Sequence, residues 1–156
     1  MNLVTDIKPD PFKRDQNLNK HMLKADNKLY EIFEVKMGQG RNEIIGVVFI
    51  TKNGIVMNIV GGESHIGAVV LAIPRPSLKN KNIISSTSSV LTLLGHKDDI
   101  IAKPVAEYLA QHLNVPAVVI TGIHIENANE EEIKQIINNS KKLVKKTLNI
   151  LLNKKL

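Results

Sequence analysis

The pattern of hydrophobic and polar positions predicts a β-hairpin in the first third of the chain. Residues 44–51 are rich in β-branched side chains, which are typical of strands. Lys52-Asn53-Gly54 follows, and Asn-Gly accepts the positive φ angles that a tight two-residue turn requires. Residues 55–60 then return as the paired strand. Residues 29–37 are apolar enough for a further strand, although their spacing would also suit one or two helical turns.

Three more segments have the apolar content of strands. Residues 66–73 form an apolar run long enough for one buried strand. Pro74 and Pro76 are expected to stop this strand, because proline has no N–H to donate to a ladder. Residues 83–94 are apolar at both ends and rich in hydroxyls at the centre, and we interpret them as one long strand. Residues 117–123 predict another buried strand.

A period of 3.6 residues predicts two helices after the fifth strand. The first covers residues 99–114, with aliphatic side chains on a common face. Pro104 falls past the unbonded first turn, so we expect a distorted first turn or a kink there. The second helix follows Asn129, a suitable N-cap, and places three glutamates in its first turn, where the helix dipole favours acids.

This order of elements predicts an α+β fold. We expect a single mixed, mainly antiparallel sheet of about six strands, with two helices packed on one face. One domain would span residues 28–156, preceded at 1–27 by an arm that is extended or partly disordered. Residues 68–72 and 117–120 look buried on both faces of the sheet. We therefore expect the open face to bind a second copy in a homodimer.

Composition and charge remove several classes of function. The net charge is +6, but the segment from Lys134 to the end has seven lysines and no acid, so the rest of the chain is nearly neutral. Together with 3% aromatic residues and no Trp, this distribution argues against a nucleic-acid interface. The absence of cysteine excludes disulfides and thiolate chemistry. No stretch approaches 18 apolar residues and the N-terminus is polar, so we expect a cytoplasmic protein without membrane attachment.

Three histidines lie at predicted strand ends beside glycines: His65, His96 and His124. Asp98 and Asp99 follow the second of them. Three imidazoles with a carboxylate are a suitable ligand set for zinc, although no pair has the i, i+4 spacing of a helical metal motif. The pattern therefore leaves open a metal-dependent hydrolase or lyase, and also histidines with a purely structural role.

A second group of residues suits an anion. Gly61-Gly62 offers free backbone N–H groups, and Arg75 offers a bidentate fork that matches phosphate. Ser77 and the hydroxyls of residues 85–89 could add neutral donors. Residues 95–99 open the first helix, whose N-terminus favours anions. There is no phosphate-binding Gly-x-x-x-x-Gly-Lys-Ser/Thr loop, no dinucleotide-binding Gly-x-Gly-x-x-Gly and no Gly-x-Ser-x-Gly nucleophile elbow.

Four blocks of the sequence resemble, in this order and at similar spacing, one small family: Gly-Gly-Glu-Ser-His-Ile-Gly-Ala-Val (61–69), Pro-Arg-Pro-Ser-Leu (74–78), Gly-His-Lys-Asp-Asp (95–99) and Gly-Ile-His-Ile-Glu-Asn-Ala (122–128). The chain is similar to the prenylated flavin chaperones (LpdD-like), also described as the small D subunit of gallate-type decarboxylases. Gly-Arg-Asn-Glu at 40–43 fits as well. The resemblance covers about residues 29–151.

The resemblance implies a non-catalytic accessory protein that binds prenylated flavin mononucleotide (FMN), or plain FMN, and delivers it to a UbiD-like decarboxylase. It also implies a dimer with a fold similar to that of small proteasome-assembly chaperones. A protein-assembly chaperone without a cofactor remains an alternative. We assign no catalytic and no metal residue, and we expect one pocket for the phosphorylated cofactor, built from Gly61, Gly62, His65, Arg75, Ser77, Ser86, His96, Lys97, Asp98 and His124.

Overall fold

A computed structural model describes residues 30–153 of the chain. It contains, in chain order, β1 (Glu31–Met37), a short 3-10 helix (Gly40–Asn42), β2 (Ile44–Thr51), β3 (Gly54–Gly62), β4 (Ala68–Pro76), β5 (Ile84–Thr92), α1 (Asp99–Leu113), β6 (Ala117–His124) and α2 (Glu130–Asn153). The arm expected at residues 1–27 lies outside the described residues, and its conformation stays a prediction.

The six strands form one sheet in the order β1-β2-β3-β6-β4-β5. The β3–β6 pair is parallel and the other four pairs are antiparallel. This confirms the mixed, mainly antiparallel sheet. The last strand of the sequence, β6, lies in the middle of the sheet, between β3 and β4. Its central position decides which loops meet at each edge.

Both helices pack on one face of the sheet, which confirms the expected layering. The helix α1 contacts β4, β5 and β6, and α2 contacts β1 and β2. Side chains alternate along the strands: in β2, Ile44 and Val48 are fully buried on the helix side, while Val47 between them is partly exposed. No helix in the described part of the chain is both long enough and apolar enough to cross a membrane.

The hairpin between β2 and β3 forms as expected, but its turn does not have the expected backbone conformation. Thr51 pairs with Gly54, so the two turn residues are Lys52 and Asn53. Asn53 is not among the residues with positive φ, and neither is Gly54. Gly54 lies close to the residue before β6: a Cβ at this position would stand 3.1 Å from the carbonyl oxygen of Pro116. The positive φ expected from Asn-Gly is therefore wrong.

The expected stop of β4 at Pro74 is also wrong, because the strand continues to Pro76. Pro74 pairs with Ser86 of β5, whereas the pairing of β4 with β6 ends at Ala72. The N–H of Ser77 donates to Ile83 on the β5 side, and N–H direction alternates along a strand. The nitrogens of Pro74 and Pro76 therefore point away from β5, toward the side on which β4 no longer pairs with β6. No N–H donor is needed on that side.

The two helices begin much as the sequence predicts. In α1, the N–H groups of Ile100 and Ile101 bond to carbonyls three residues earlier, so the first turn is tightened. The helix then runs through Pro104 to Leu113. At the start of α2, Asn129 and Glu132 exchange side-chain to backbone hydrogen bonds of 2.9 and 3.0 Å. This reciprocal pair is a capping box.

Candidate functional site

One edge of the sheet brings together segments that are distant in sequence. Gly62 at the end of β3 pairs with His124 at the end of the parallel strand β6. Ala68 at the start of β4 pairs with Thr92 at the end of β5. The loop before β4, the loop after β5 and the ends of β3 and β6 therefore meet at this edge. All three histidines singled out from the sequence lie here.

The histidines form a cluster with Asp98. His65 Nε2 lies 3.0 Å from His96 Nδ1. The ring of His124 stands edge-on to the ring of His65, with centroids 6.3 Å apart. The Oδ2 atom of Asp98 is 3.6 Å from His96 Nδ1 and 3.8 Å from His65 Nε2. The structure thus brings His65, His96, Asp98 and His124 together, as the sequence predicts.

Asp98 is held in place by the backbone of β6. Its side chain is 8% exposed, and its Oδ1 atom accepts a hydrogen bond of 2.9 Å from the N–H of Ile123. That bond turns the other carboxylate oxygen toward the two imidazoles. A buried carboxylate with a fixed orientation can bind a cation or accept a hydrogen bond from a ligand.

Two glycines make this close packing possible, and neither was identified from the sequence as a site residue. A Cβ at Gly67 would collide with the Asp98 carboxylate, and a Cβ at Gly122 would collide with the carbonyl of His65. Only glycine leaves room for such approach. Both glycines lie in the sequence blocks quoted above, but a single sequence does not reveal which side chain will pack over a glycine.

The orientation of the His65 ring follows from a backbone contact. His65 Nδ1 lies 3.1 Å from the carbonyl oxygen of Glu63, which can only accept a hydrogen bond. Nδ1 therefore carries the proton in the neutral ring, and the lone pair of Nε2 faces His96 and Asp98. His65, His96 and Asp98 each offer one ligand atom, and these three atoms lie within 4.8 Å of one another. Together they could hold a metal ion. His124 is not part of this group.

An apolar cavity of about 280 Å³ opens beside the cluster, between the first turns of α1 and α2 and the end of β6. Isoleucine side chains dominate its lining, including Ile101, Ile123 and Ile136. Lys97, Asp98 and His124 supply its polar groups. Asp98 thus belongs both to the cluster and to the cavity wall.

Arg41 is a further residue near the site; in the sequence, Gly38-x-Gly40 with Arg41 is at most a weak anion-binding signal, and Arg41 is not among the expected site residues. It lies with Gly62 and His124 around an adjoining open hollow. Its guanidinium donates a 2.7 Å hydrogen bond to the carbonyl oxygen of Glu126 and lies 3.6 Å from Glu132. The available signal was the Gly-Arg-Asn-Glu block at 40–43, which fits the family resemblance although its local pattern indicates only a turn.

Arg75, Ser77 and Ser86 do not join this site, so the expected convergence is wrong for them. Arg75 lies near the opposite end of β4, roughly 24 Å from Ala68 at ~3.4 Å per strand residue. Its Nε donates to Thr87 and its Nη1 to the carbonyl of Pro76. Ser86 accepts a hydrogen bond from Gln111 of α1. The two ends of a nine-residue strand cannot contact one small ligand.

Gly61, Gly62 and Lys97 lie at the same edge as the cluster. Gly61 pairs with Ile123, one residue before the pair formed by Gly62 and His124. Gly62 has a φ of 58° and leads into Glu63, whose N–H donates to the carbonyl of His124. That N–H is therefore already bonded within the protein. Lys97 lines the cavity beside Asp98.

Comparison with solved structures supports the architecture. A chain of a chaperone complex for yeast 20S proteasome assembly superposes with a TM-score of 0.53 at 15% sequence identity. The alignment covers 80% of this chain and 97% of the yeast chain. At this identity the similarity concerns the fold alone, and it confirms the fold expected from the resemblance.

No curated protein is significantly similar in sequence. A family model, described as the prenylated flavin chaperone LpdD-like domain, matches residues 38–152. The match includes every strand from β2 onward, α1, all of α2 except its last residue and all the residues of the histidine–aspartate cluster. The chain therefore belongs to the family of prenylated flavin chaperones of the LpdD-like type.

Proposed function

We propose that this protein binds prenylated FMN, delivers it to a UbiD-like decarboxylase and catalyses no reaction itself. The observation that carries the proposal is the apolar cavity beside the histidine–aspartate cluster, in a member of the prenylated flavin chaperone family. Cytoplasmic location accompanies this proposal as a prediction and can be tested by cell fractionation.

The lining of the cavity suits one half of such a cofactor. Flavin rings and prenyl groups are largely apolar, and pockets for such groups are lined mainly by hydrophobic side chains with a few oriented polar groups. Ile101, Ile123 and Ile136 supply the apolar wall. Lys97 and His124 at the polar end can donate hydrogen bonds to the ring edge or to the ribityl chain.

The cofactor phosphate requires cationic donors, and Arg41 replaces Arg75 in this role. Arg41 and His124 line the hollow that adjoins the cavity. A guanidinium matches the oxygens of a phosphate group, and its bonds to a charged partner are stronger than neutral ones. Arg41 donates from Nη2 to the carbonyl of Glu126, and its Nε lies 3.6 Å from Glu132 Oε1, so the N–H groups of Nη1 are the ones offered to a ligand.

A titration with matched arginine variants tests the proposal. Prenylated FMN, and separately plain FMN, is added to the full chain, and binding is followed by absorption and flavin fluorescence. We expect Arg41→Ala and Lys97→Ala to raise Kd about 10-fold or more, since a hydrogen bond to a charged group is worth ~1.5–3 kcal/mol. Arg75→Ala should retain the affinity of the wild type. Absence of binding at tens of micromolar, or equal losses in Arg41→Ala and Arg75→Ala, would contradict it.

Delivery to the enzyme has a separate test. The flavin-loaded protein is mixed with an apo form of a UbiD-like decarboxylase, and the recovery of decarboxylase activity is compared with that produced by free prenylated FMN at the same concentration. Faster or more complete activation supports a chaperone. Equal activation limits the role of the protein to storage.

We also propose a homodimer formed through the open sheet face, meaning the face opposite the helices. Residues on this face alternate with the buried ones, and several are exposed aliphatic side chains: Leu71 (39% exposed), Ile73 (51%) and Leu91 (73%). Large apolar side chains exposed on one face of a sheet suit a protein interface, where they would be removed from water. The structurally similar yeast protein is itself part of a chaperone complex.

A further inference from the structure

We propose that His65, His96 and Asp98 bind a divalent transition-metal ion, with Zn²⁺ as the best match to the ligand set. The inference goes beyond flavin binding and is independent of it, because metal binding can be measured on the protein without any flavin.

The three donor atoms are separated by distances that fit one ion. His65 Nε2 and His96 Nδ1 are 3.0 Å apart, and Asp98 Oδ2 lies 3.6 and 3.8 Å from them. With these separations, the equidistant point in the plane of the three atoms lies about 2.0 Å from each, which matches the ~2.0–2.2 Å of zinc bonds to histidine and carboxylate. Little side-chain movement is needed to admit the ion.

The ligands are also oriented by contacts behind them. Metal-binding histidines usually donate their other ring N–H to a carbonyl or carboxylate, and ligating carboxylates are themselves hydrogen-bonded. Here His65 Nδ1 faces the carbonyl of Glu63, and Asp98 Oδ1 accepts from Ile123. The lone pair of His65 Nε2 and the second oxygen of Asp98 are thereby directed to the same point.

Hydrogen bonds to the imidazoles do not account for the position of the second carboxylate oxygen of Asp98, whose first oxygen is bonded to Ile123. A hydrogen bond from His96 Nδ1 to His65 Nε2 would explain their 3.0 Å contact. The distances of 3.6 and 3.8 Å from Asp98 Oδ2 to the imidazoles exceed the 2.7–3.2 Å range of hydrogen bonds. A nearly buried carboxylate oxygen that stands back from two imidazoles leaves room for a cation among the three.

The ligand types and exposure suggest what the ion would do. Two imidazoles and one carboxylate form a three-ligand set, which in zinc proteins leaves a position open for water or substrate. The side chains of His65 and His96 are 25% and 35% exposed, so this position can be reached from solvent. The bound ion would present a Lewis-acidic position to an anionic group of a ligand in the adjoining cavity.

Calorimetric titration of the tag-free full chain with Zn²⁺, after treatment with a chelator, tests the site. We expect one ion per chain. His65→Ala and His96→Ala should each weaken binding at least ~100-fold, because loss of even an outer partner of a metal ligand costs 10–100-fold. His112→Ala is the matched control, since His112 lies on α1 and bonds to the carbonyl of Tyr108 outside the cluster.

A Co²⁺ titration adds a spectroscopic readout that does not depend on affinity alone. The wild type should develop intense visible absorption bands of a low-symmetry four-coordinate ion, and Asp98→Asn should alter or abolish them while circular dichroism shows the protein folded. Two outcomes overturn the proposal: less than one Zn²⁺ per chain in the wild type, or Zn²⁺ binding in His65→Ala and His96→Ala equal to that in His112→Ala.

Discussion

His65 Nε2 lies 3.0 Å from His96 Nδ1, although the two residues are 31 positions apart. Their contact follows from the antiparallel pairing of β4 with β5, which joins Ala68 to Thr92. The backbone continues this pairing beyond the strands, since the N–H of Leu93 donates to the carbonyl of Gly67 at 2.9 Å. Residues just before one strand and just after its partner are thereby brought to the same place.

Replacement of Asp98 should destabilise the fold, and the loss should be larger when the new side chain cannot accept the hydrogen bond from Ile123. Asp98→Ala leaves the N–H of Ile123 without its 2.9 Å acceptor, and we expect a loss of about 1–3 kcal/mol in the free energy of unfolding. Asp98→Asn retains an amide oxygen and should lose less. Urea unfolding of the two variants measures the difference. Equal stability of Asp98→Ala and the wild type would show that this bond contributes nothing.

Gly67→Ala should disturb the same carboxylate by steric overlap. The new methyl group would overlap Asp98, and relief of such overpacking costs about 1–3 kcal/mol. The neighbouring change Ile66→Ala is the control, because Ile66 is 55% exposed and its truncation should alter stability by less than ~0.5 kcal/mol. Thermal unfolding distinguishes the two variants. A Gly67→Ala protein as stable as Ile66→Ala would contradict the packing described here.

Asn129→Ala should shorten or destabilise the start of α2. It removes the acceptor of the 2.9 Å bond from the N–H of Glu132, and loss of such a cap costs about 0.5–2 kcal/mol. Asn138→Ala makes the same substitution at an exposed position inside α2, where alanine is the better helix former, and should be neutral or stabilising. Urea unfolding followed by circular dichroism checks this. Equal losses in both variants would refute the capping role.

Leu71→Asp should dissociate the proposed homodimer. Leu71 is 39% exposed on the open sheet face, and a carboxylate in an apolar interface would be buried without a partner. Leu78→Asp is the control, because Leu78 lies in the loop after β4 and is 90% exposed. Sedimentation velocity should give a dimer for the wild type and Leu78→Asp, and a monomer for Leu71→Asp. A monomeric wild type at tens of micromolar would contradict the dimer.

Part of the site could have been predicted better from the sequence alone. Interpreting residues 66–73 as one strand already implies that His65 and Arg75 lie at opposite edges of the sheet, because a strand extends by ~3.3 Å per residue. By the same reasoning, His65 and His96 flank two consecutive strands that pair as a hairpin. Arg41 could not be found in this way, since it reaches the site through a loop whose path depends on the whole sheet.

Local patterns along the chain are enough to predict the separate elements: the strands from their apolar runs, the helices from their 3.6-residue period and the start of α2 from Asn129. These features depend on neighbours within a few residues. No such local pattern predicts that β6 lies between β3 and β4, which sets His124 beside Gly62 and the N–H of Ile123 against Asp98. Strand order depends on the burial of apolar surface over the whole chain, and no local pattern specifies which strands will be neighbours in the sheet.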